Sequence, residues 1–283
     1  MSVHRWLLLG FVAASLGGFV LFGLSTGVRA GADDLSDGGV TVCSGGSIAA
    51  GIYQNLNIAG ACTVDAGSVT VEHNLTVLSG GTLVAVTGGI GAFPSSSDLT
   101  IGGNVEVQAG GLLNMGCEPI YYICVNDPDQ VVGSYSTHHT IAGNLTADNA
   151  FSVLVHHASI GGSVKVTGGG GGTNSCSESI PALEFAPPYG DFEDVAIAGS
   201  LTITGWRSCW LGVFRVTVLQ GTEWVDDITG DPDGNEMANN TIIGSLNCFG
   251  NSPSNQIGDS LGAPSTVLGN ATGQCANPAI AVH

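Results

Sequence analysis

The chain predicts an all-β fold, a single-stranded right-handed parallel β-solenoid with inserted loops. Three observations predict it: a short heptapeptide that recurs along the chain, 45 glycines among 283 residues, and only 10% charged residues. A helical domain needs charged solvent faces and strong helix formers, which this composition lacks. A hydrophobic fraction of 43% and a mean hydropathy of +0.33 supply enough Val, Ile and Leu for a continuous core.

The repeat carries most of the argument. Segments 101–107, 141–147, 160–166 and 197–203 share the pattern Ile-x-Gly-Asn/Ser-Leu/Val-x-apolar; 242–248 repeats it, and 58–64, 71–77 and 267–273 are looser copies. The first, third, fifth and seventh residues are apolar or Gly and the fourth and sixth mostly polar, the period of a half-buried strand. Glycine at the third position permits a bend or a close backbone approach. A second short strand follows a Gly-rich corner at 78–83 and again at 108–113. Cys62 and Cys248 fall on inward positions of their copies.

The fourth-position residues Asn74, Asn104, Asn144, Ser163, Ser200, Ser245 and Asn270 lie 30, 40, 19, 37, 45 and 25 residues apart. A step of 19 fits one coil, so longer steps need an extra coil or a loop, and 117–138, 168–192 and 220–239 are the expected loops. One coil cannot bury its own face, so the copies must stack as one domain, 41–283, after a short linker, 31–40. A β-sandwich is the alternative for short strands with Gly-rich turns, but it gives no reason to repeat one heptapeptide.

Residues 1–30 read as a signal peptide: His4 and Arg5 precede an uncharged run from Trp6 to Val28, and Gly27-Val28-Arg29-Ala30 is a small-residue cleavage site. The competing reading is an uncleaved anchor, since the run is long enough to span a bilayer. The mature chain has no further span and is expected outside the cell or at its surface. Removing the leader takes the net charge from −18 to −20, three basic against 23 acidic residues. Such a chain repels phosphate backbones, which excludes nucleic acid as a partner, and leaves divalent cations, neutral glycans and other cell-surface components.

All eight cysteines lie beyond the leader, which with export means an oxidising compartment and disulfides. Sequence neighbours give Cys117 with Cys124 and Cys248 with Cys275 as the first expectations, then Cys43 with Cys62 and Cys176 with Cys209. No Cys-x-x-Cys pair exists to suggest a zinc knuckle.

The segments 241–253 and 269–275, with the repeats themselves, resemble the ends of uncharacterised secreted parallel β-helix (β-solenoid) proteins of actinobacterial type. The resemblance implies the solenoid and carries no activity.

Two constellations could hold a metal. Three residues before the opening Ile of successive copies stand Asp98, His138, His157 and Asp194, with Asn55 and Asn239 at the same offset. Stacked coils would bring His138 and His157 close enough to share zinc, with Asp194 beside them, or would form a plain turn ladder. His139 and His156 read as wall residues. The segment 223–236 gathers six carboxylates, and Asp231-x-Asp233-Gly234-Asn235-Glu236 is similar to a calcium loop, although its Gly stands fourth rather than sixth. Its alternative is a solvated acidic loop.

No complete catalytic set is legible. A glycosidase would need two carboxylates about 5 to 9.5 Å apart, for which Asp226-Asp227 and Glu193-Asp194 are the adjacent acidic pairs in segments of suitable character, and Arg207 with Trp206 and Trp210 could form a sugar-stacking patch or pack an end of the solenoid. The sequons at Asn74, Asn144, Asn239 and Asn270 follow from the repeat itself. The expectation is a secreted or cell-surface structural or adhesive solenoid; the alternative is a polysaccharide-active lyase or hydrolase on the same scaffold.

Overall fold

Period-2 alternation turns each heptapeptide into a strand, a tight corner and a second strand, and the corners let the chain wind. In the computed structural model, which describes residues 39–64, 67–86, 97–116, 139–183, 185–258 and 263–276, the strands pair in parallel and in register along three faces. Among the described residues face A has ten strands, from Val40–Cys43 through Asn55–Ile58, Leu75–Val77, Val105–Val107, Leu145–Asp148, Val164–Thr167, Leu201–Thr204, Thr222–Val225 and Leu246–Phe249 to Ala271–Gly273. Face B includes Thr82–Ala85, Leu112–Met115, Trp210–Phe214 and Glu236–Ala238. Face C includes Gly67–Val71, Ser97–Ile101, His139–Ile141, Thr217–Val218 and Thr241–Ile242. Two nine-residue strands, Ser152–Ile160 and Tyr189–Ile197, run through both B and C. This is a parallel β-solenoid; parallel pairing rules out the antiparallel sandwich.

The interior is filled by stacked columns such as Leu75, Val105, Leu145, Val164 and Leu201, each at most 1% exposed. Burying a Leu or Val is worth about 1.5–3 kcal/mol, so the columns dominate stability. The fourth position forms an outer ladder: Asn55, Asn74, Asn104 and Asn144 each offer a side-chain oxygen to the backbone N–H one coil on, at 3.2, 2.9, 2.9 and 2.8 Å, and Ser163 continues it to Ser200 at 3.1 Å. The third-position glycine is what this ladder requires. A Cβ on Gly143 would meet Asn104 Oδ1 at 2.5 Å and the Gly103 carbonyl oxygen at 2.6 Å.

Three expected disulfides form: Cys43–Cys62 and Cys248–Cys275 close the interior at its two ends, and Cys176–Cys209 ties an insertion to the coil that follows it. The Cys117–Cys124 pair, the leader 1–30, the loop 117–138 and His138 lie outside the described residues. Among the described residues no helix is long and apolar enough to cross a membrane.

The structure corrects three expectations. Residues 220–239 are a coil, not a loop, with strands at Thr222–Val225, Ile228–Thr229 and Glu236–Ala238. A copy at 218–224 went unrecognised because Gly221 stands at its fourth position, where a ladder side chain belongs; the 45-residue step from Ser200 to Ser245 is therefore two coils. The copy expected at 58–64 is out of register, since Asn55 aligns with the ladder and Cys62 pairs with Leu83 on face B. The insertion expected at 168–192 ends by Tyr189, which opens a strand.

Candidate functional site

Alternation along Tyr189-Gly190-Asp191-Phe192-Glu193 sends Phe192 into the core and puts Asp191 and Glu193 together on the outer side of face B. On a free solenoid face both would be solvated. Here they are 2% and 1% exposed. The insertion 168–188 packs Leu183 and Ala186 against Leu112, Leu154, Tyr189, Trp210 and Phe214, forming a second apolar cluster outside the barrel of coils. Asn114, in register with Leu154 and Asp191, donates to the Ala182 carbonyl of the insertion at 3.0 Å.

Around the two carboxyls lie His156, whose Nε2 is 3.4 Å from Asp191 Oδ2, and Arg215, which donates from Nη2 to Glu193 Oε2. Arg215 also binds Asp194, Nε to Oδ1 at 2.8 Å and Nη2 to Oδ2 at 3.0 Å. Burial pushes Asp191 well above the usual carboxylate range against the pull of Arg215. Burial, and then the charge of Asp191, push Glu193 up to about 8, with His156 and Arg215 opposing. Burial alone would lower Arg215, but its bonds to Asp194 and the charges of Glu193 and Asp194 hold it above its ordinary value. Desolvation of the two neighbouring carboxyls therefore outweighs the pull of Arg215 and His156 on them.

Part of the column expected at the corner between faces B and C is present, with an additional member, while His138 lies outside the described residues. His157, Asp194, Arg215 and Asn239 occupy one level of successive coils, and all four have left-handed backbone, with φ of 51, 53, 55 and 56°. Asp98 stands three residues before Ile101, in register with Ser68 on the preceding coil. Asn55 belongs instead to the outer ladder. Arg215 escaped the sequence reading because it precedes the unrecognised copy by the same three residues. Asp194 therefore spends both oxygens on a guanidinium.

The acidic segment does not converge. Asp231 closes an Asx turn by accepting from Asp233 N–H at 3.0 Å, whereas Glu236 is fully buried and accepts from Trp210 Nε1 at 2.8 Å. Asp226 is exposed on left-handed backbone, and its neighbour Asp227 points inward to accept from Trp206 N–H at 2.6 Å. Burial raises Asp227 to about 7, with the Trp206 N–H and Arg207 opposing. Trp206 and Trp210 are each 1% exposed and pack the interior and the outer cluster, so they offer no sugar-stacking surface. His139 is a core residue whose Nδ1 accepts from Leu99 N–H at 3.2 Å. Among the described residues no three His, Cys, Asp or Glu side chains gather closely enough to hold a metal ion.

The outer side of face A is open. Asn57, Thr76, Glu106, Thr146, Lys165, Thr202, Glu223, Asn247 and Thr272 follow one another in register, one per coil, as a straight line of hydrogen-bonding side chains. No protein-family model, curated protein or solved structure matches the chain.

Proposed function

We propose that this protein is an extracellular structural or adhesive solenoid whose contact surface is the outer side of face A, with neutral glycans of regular repeat as the class of partner. The observation that carries the reading is the line from Asn57 to Thr272, which repeats hydrogen-bonding side chains, six of them Thr or Asn and three charged, at the strand spacing of about 4.8 Å on an uncovered sheet. A polymer surface with its own repeat can meet many such groups at once, so weak contacts add through multivalency. Disulfides closing both ends of the interior support an oxidising, extracellular setting.

The test is co-sedimentation of residues 31–283 with insoluble plant and bacterial polysaccharides, with T146A and T202A together as the comparison. Retention of the wild type and its loss in the double variant is the expected result; equal retention of both overturns the assignment of face A. Newly formed chain ends in the same incubations would favour the enzymatic reading, which one arrangement supports: burial and the neighbouring Asp191 push the Glu193 carboxyl up to about 8. The near-complete burial of that pair weighs against it.

A further inference from the structure

The corner between faces C and A is uncharged over seven consecutive coils, in a chain of net charge −18. Residues 100–104, 140–144, 159–163, 196–200, 217–221, 241–245 and 266–270 contain no Asp, Glu, Lys, Arg or His. Within it, the second position of the heptapeptide forms one column, Gly102, Ala142, Gly161, Ala198, Leu219, Ile243 and Leu268, because the preceding residues pair in register. The column changes character along the axis. Its first four members are small, while Leu219, Ile243 and Leu268 are 52%, 42% and 66% exposed, a ridge of bare aliphatic side chains. Where the small members give way to the ridge, Gly161, Ala198 and Leu219 help line an apolar hollow of about 240 Å³.

We infer that this corner is a self-complementary interface at which a second copy of the chain packs its ridge into the hollow of the first. A two-fold axis between the coils of Ala198 and Leu219 sets Leu219 against the second copy's Ala198, Ile243 against its Gly161 and Leu268 against its Ala142. Each large residue then meets a small one, and the reverse contacts follow by symmetry, as an isologous interface requires. Charge argues for the same occupant: two strongly acidic molecules repel over most orientations, and this strip lets them touch without opposing like charges. Exposed apolar ridges of this kind mark interaction sites more often than chance. The strip is narrow, so the association is a weak one that depends on protein concentration.

Sedimentation equilibrium of residues 31–283 over a wide concentration range tests it. The expected result is a monomer–dimer equilibrium that strengthens with added salt, because screening relieves the repulsion between the remaining acidic surfaces while the apolar contact is untouched. A198L and L219A should each leave the protein monomeric at concentrations where the wild type is half dimeric. The double variant A198L/L219A exchanges large for small across the axis and should restore the dimer, which a mere folding defect would not do. A monomer at every concentration, single variants that dimerise like the wild type, or a dimer weakened by salt would each overturn the proposal. Glycan retention on face A is read separately, so loss of the dimer leaves that assignment unaffected.

Discussion

Arg215 holds Asp194 through two hydrogen bonds, at 2.8 and 3.0 Å, while both residues keep left-handed backbone at one corner of adjacent coils. The same guanidinium reaches Glu193, which is 1% exposed, so a single cation serves one carboxyl at the corner and one on the adjoining face B. Removing it leaves a buried acid without its counter-charge. Arg215→Met is expected to destabilise the fold by about 3 kcal/mol at pH 8, in the range for breaking a buried pair from one side. The deficit should shrink at pH 5, where the orphaned carboxyls take up protons; urea unfolding at both values measures it, and an equal loss at both would count against the ionic account.

Glu193 and Asp227 have folded-state pKa values of about 8 and about 7, above their ordinary 4.5 and 3.8. The folded state therefore binds more protons than the unfolded chain between those limits. Stability from these groups is fully present below about pH 4 and declines as pH rises, until the folded groups ionise near 7 and 8. Asp227→Asn should flatten the profile. Its oxygen can keep the Trp206 N–H, as Asn251 keeps that of Asp227 one coil on at 2.9 Å, and its amide can take the role that Asn251 Nδ2 plays toward the Trp224 carbonyl. At pH 8 the variant is expected to be more stable than the wild type by on the order of a few kcal/mol, with the difference fading below pH 4. Denaturant midpoints at four or five pH values decide this, and a variant less stable than wild type at pH 8 would contradict it.

Gly212 lies between Asp191 and Glu236 in register on face B, and its lack of a side chain lets Trp210 and Phe214 stack above it, with ring centroids 5.7 Å apart and planes 12° from parallel. A Cβ there would stand 2.1 Å from Trp210 and 2.5 Å from Phe214. Gly212→Ala should cost about 2 kcal/mol through forced displacement of one ring. Near-ultraviolet circular dichroism should lose intensity together with the fall in Tm; an unchanged spectrum and Tm would show that the rings have room.

Asn104 accepts from Asn144 N–H at 2.9 Å and donates toward Asn74 Oδ1 at 3.4 Å on the exposed ladder. Asn104→Ala removes an acceptor from one coil and a donor from another, for an expected loss of about 1 kcal/mol. Asn104→Ser should recover most of it, since Ser163 performs the same task toward Ser200 at 3.1 Å. Thermal unfolding of the pair separates the ladder bond from bulk, and equal losses for both variants would remove the ladder from the account.

Much of the architecture was legible in successive residues. The alternation in 141–147 and 160–166 identifies both strands and their inward residues, and the 19-residue step between Asn144 and Ser163 is the coil itself. The copy at 218–224 was not legible, because Gly221 removes the polar fourth residue by which the others are recognised. With that copy hidden, 220–239 resembled a loop and Arg215 had no place in the corner column. The acidic segment misled for a related reason: Asp231, Asp233 and Glu236 are close in sequence, but strand alternation and the Trp210 bond turn Glu236 under the outer cluster and away from the turn.

By itself the sequence determined the strands of most copies, their buried faces and three of the four expected disulfides, since each follows from side-chain alternation or from short separation along the chain. Only the tertiary structure decided which charges meet. Arg215 with Glu193 and Asp194, Asp227 with Trp206, and Glu236 with Trp210 join residues 21 to 26 apart. Such partners are set by the lengths of the coils and by how the coils stack rather than by any local pattern. Burial on the outer side of face B then raises the pKa values of Asp191 and Glu193, an effect of desolvation that no stretch of residues expresses until the chain has folded.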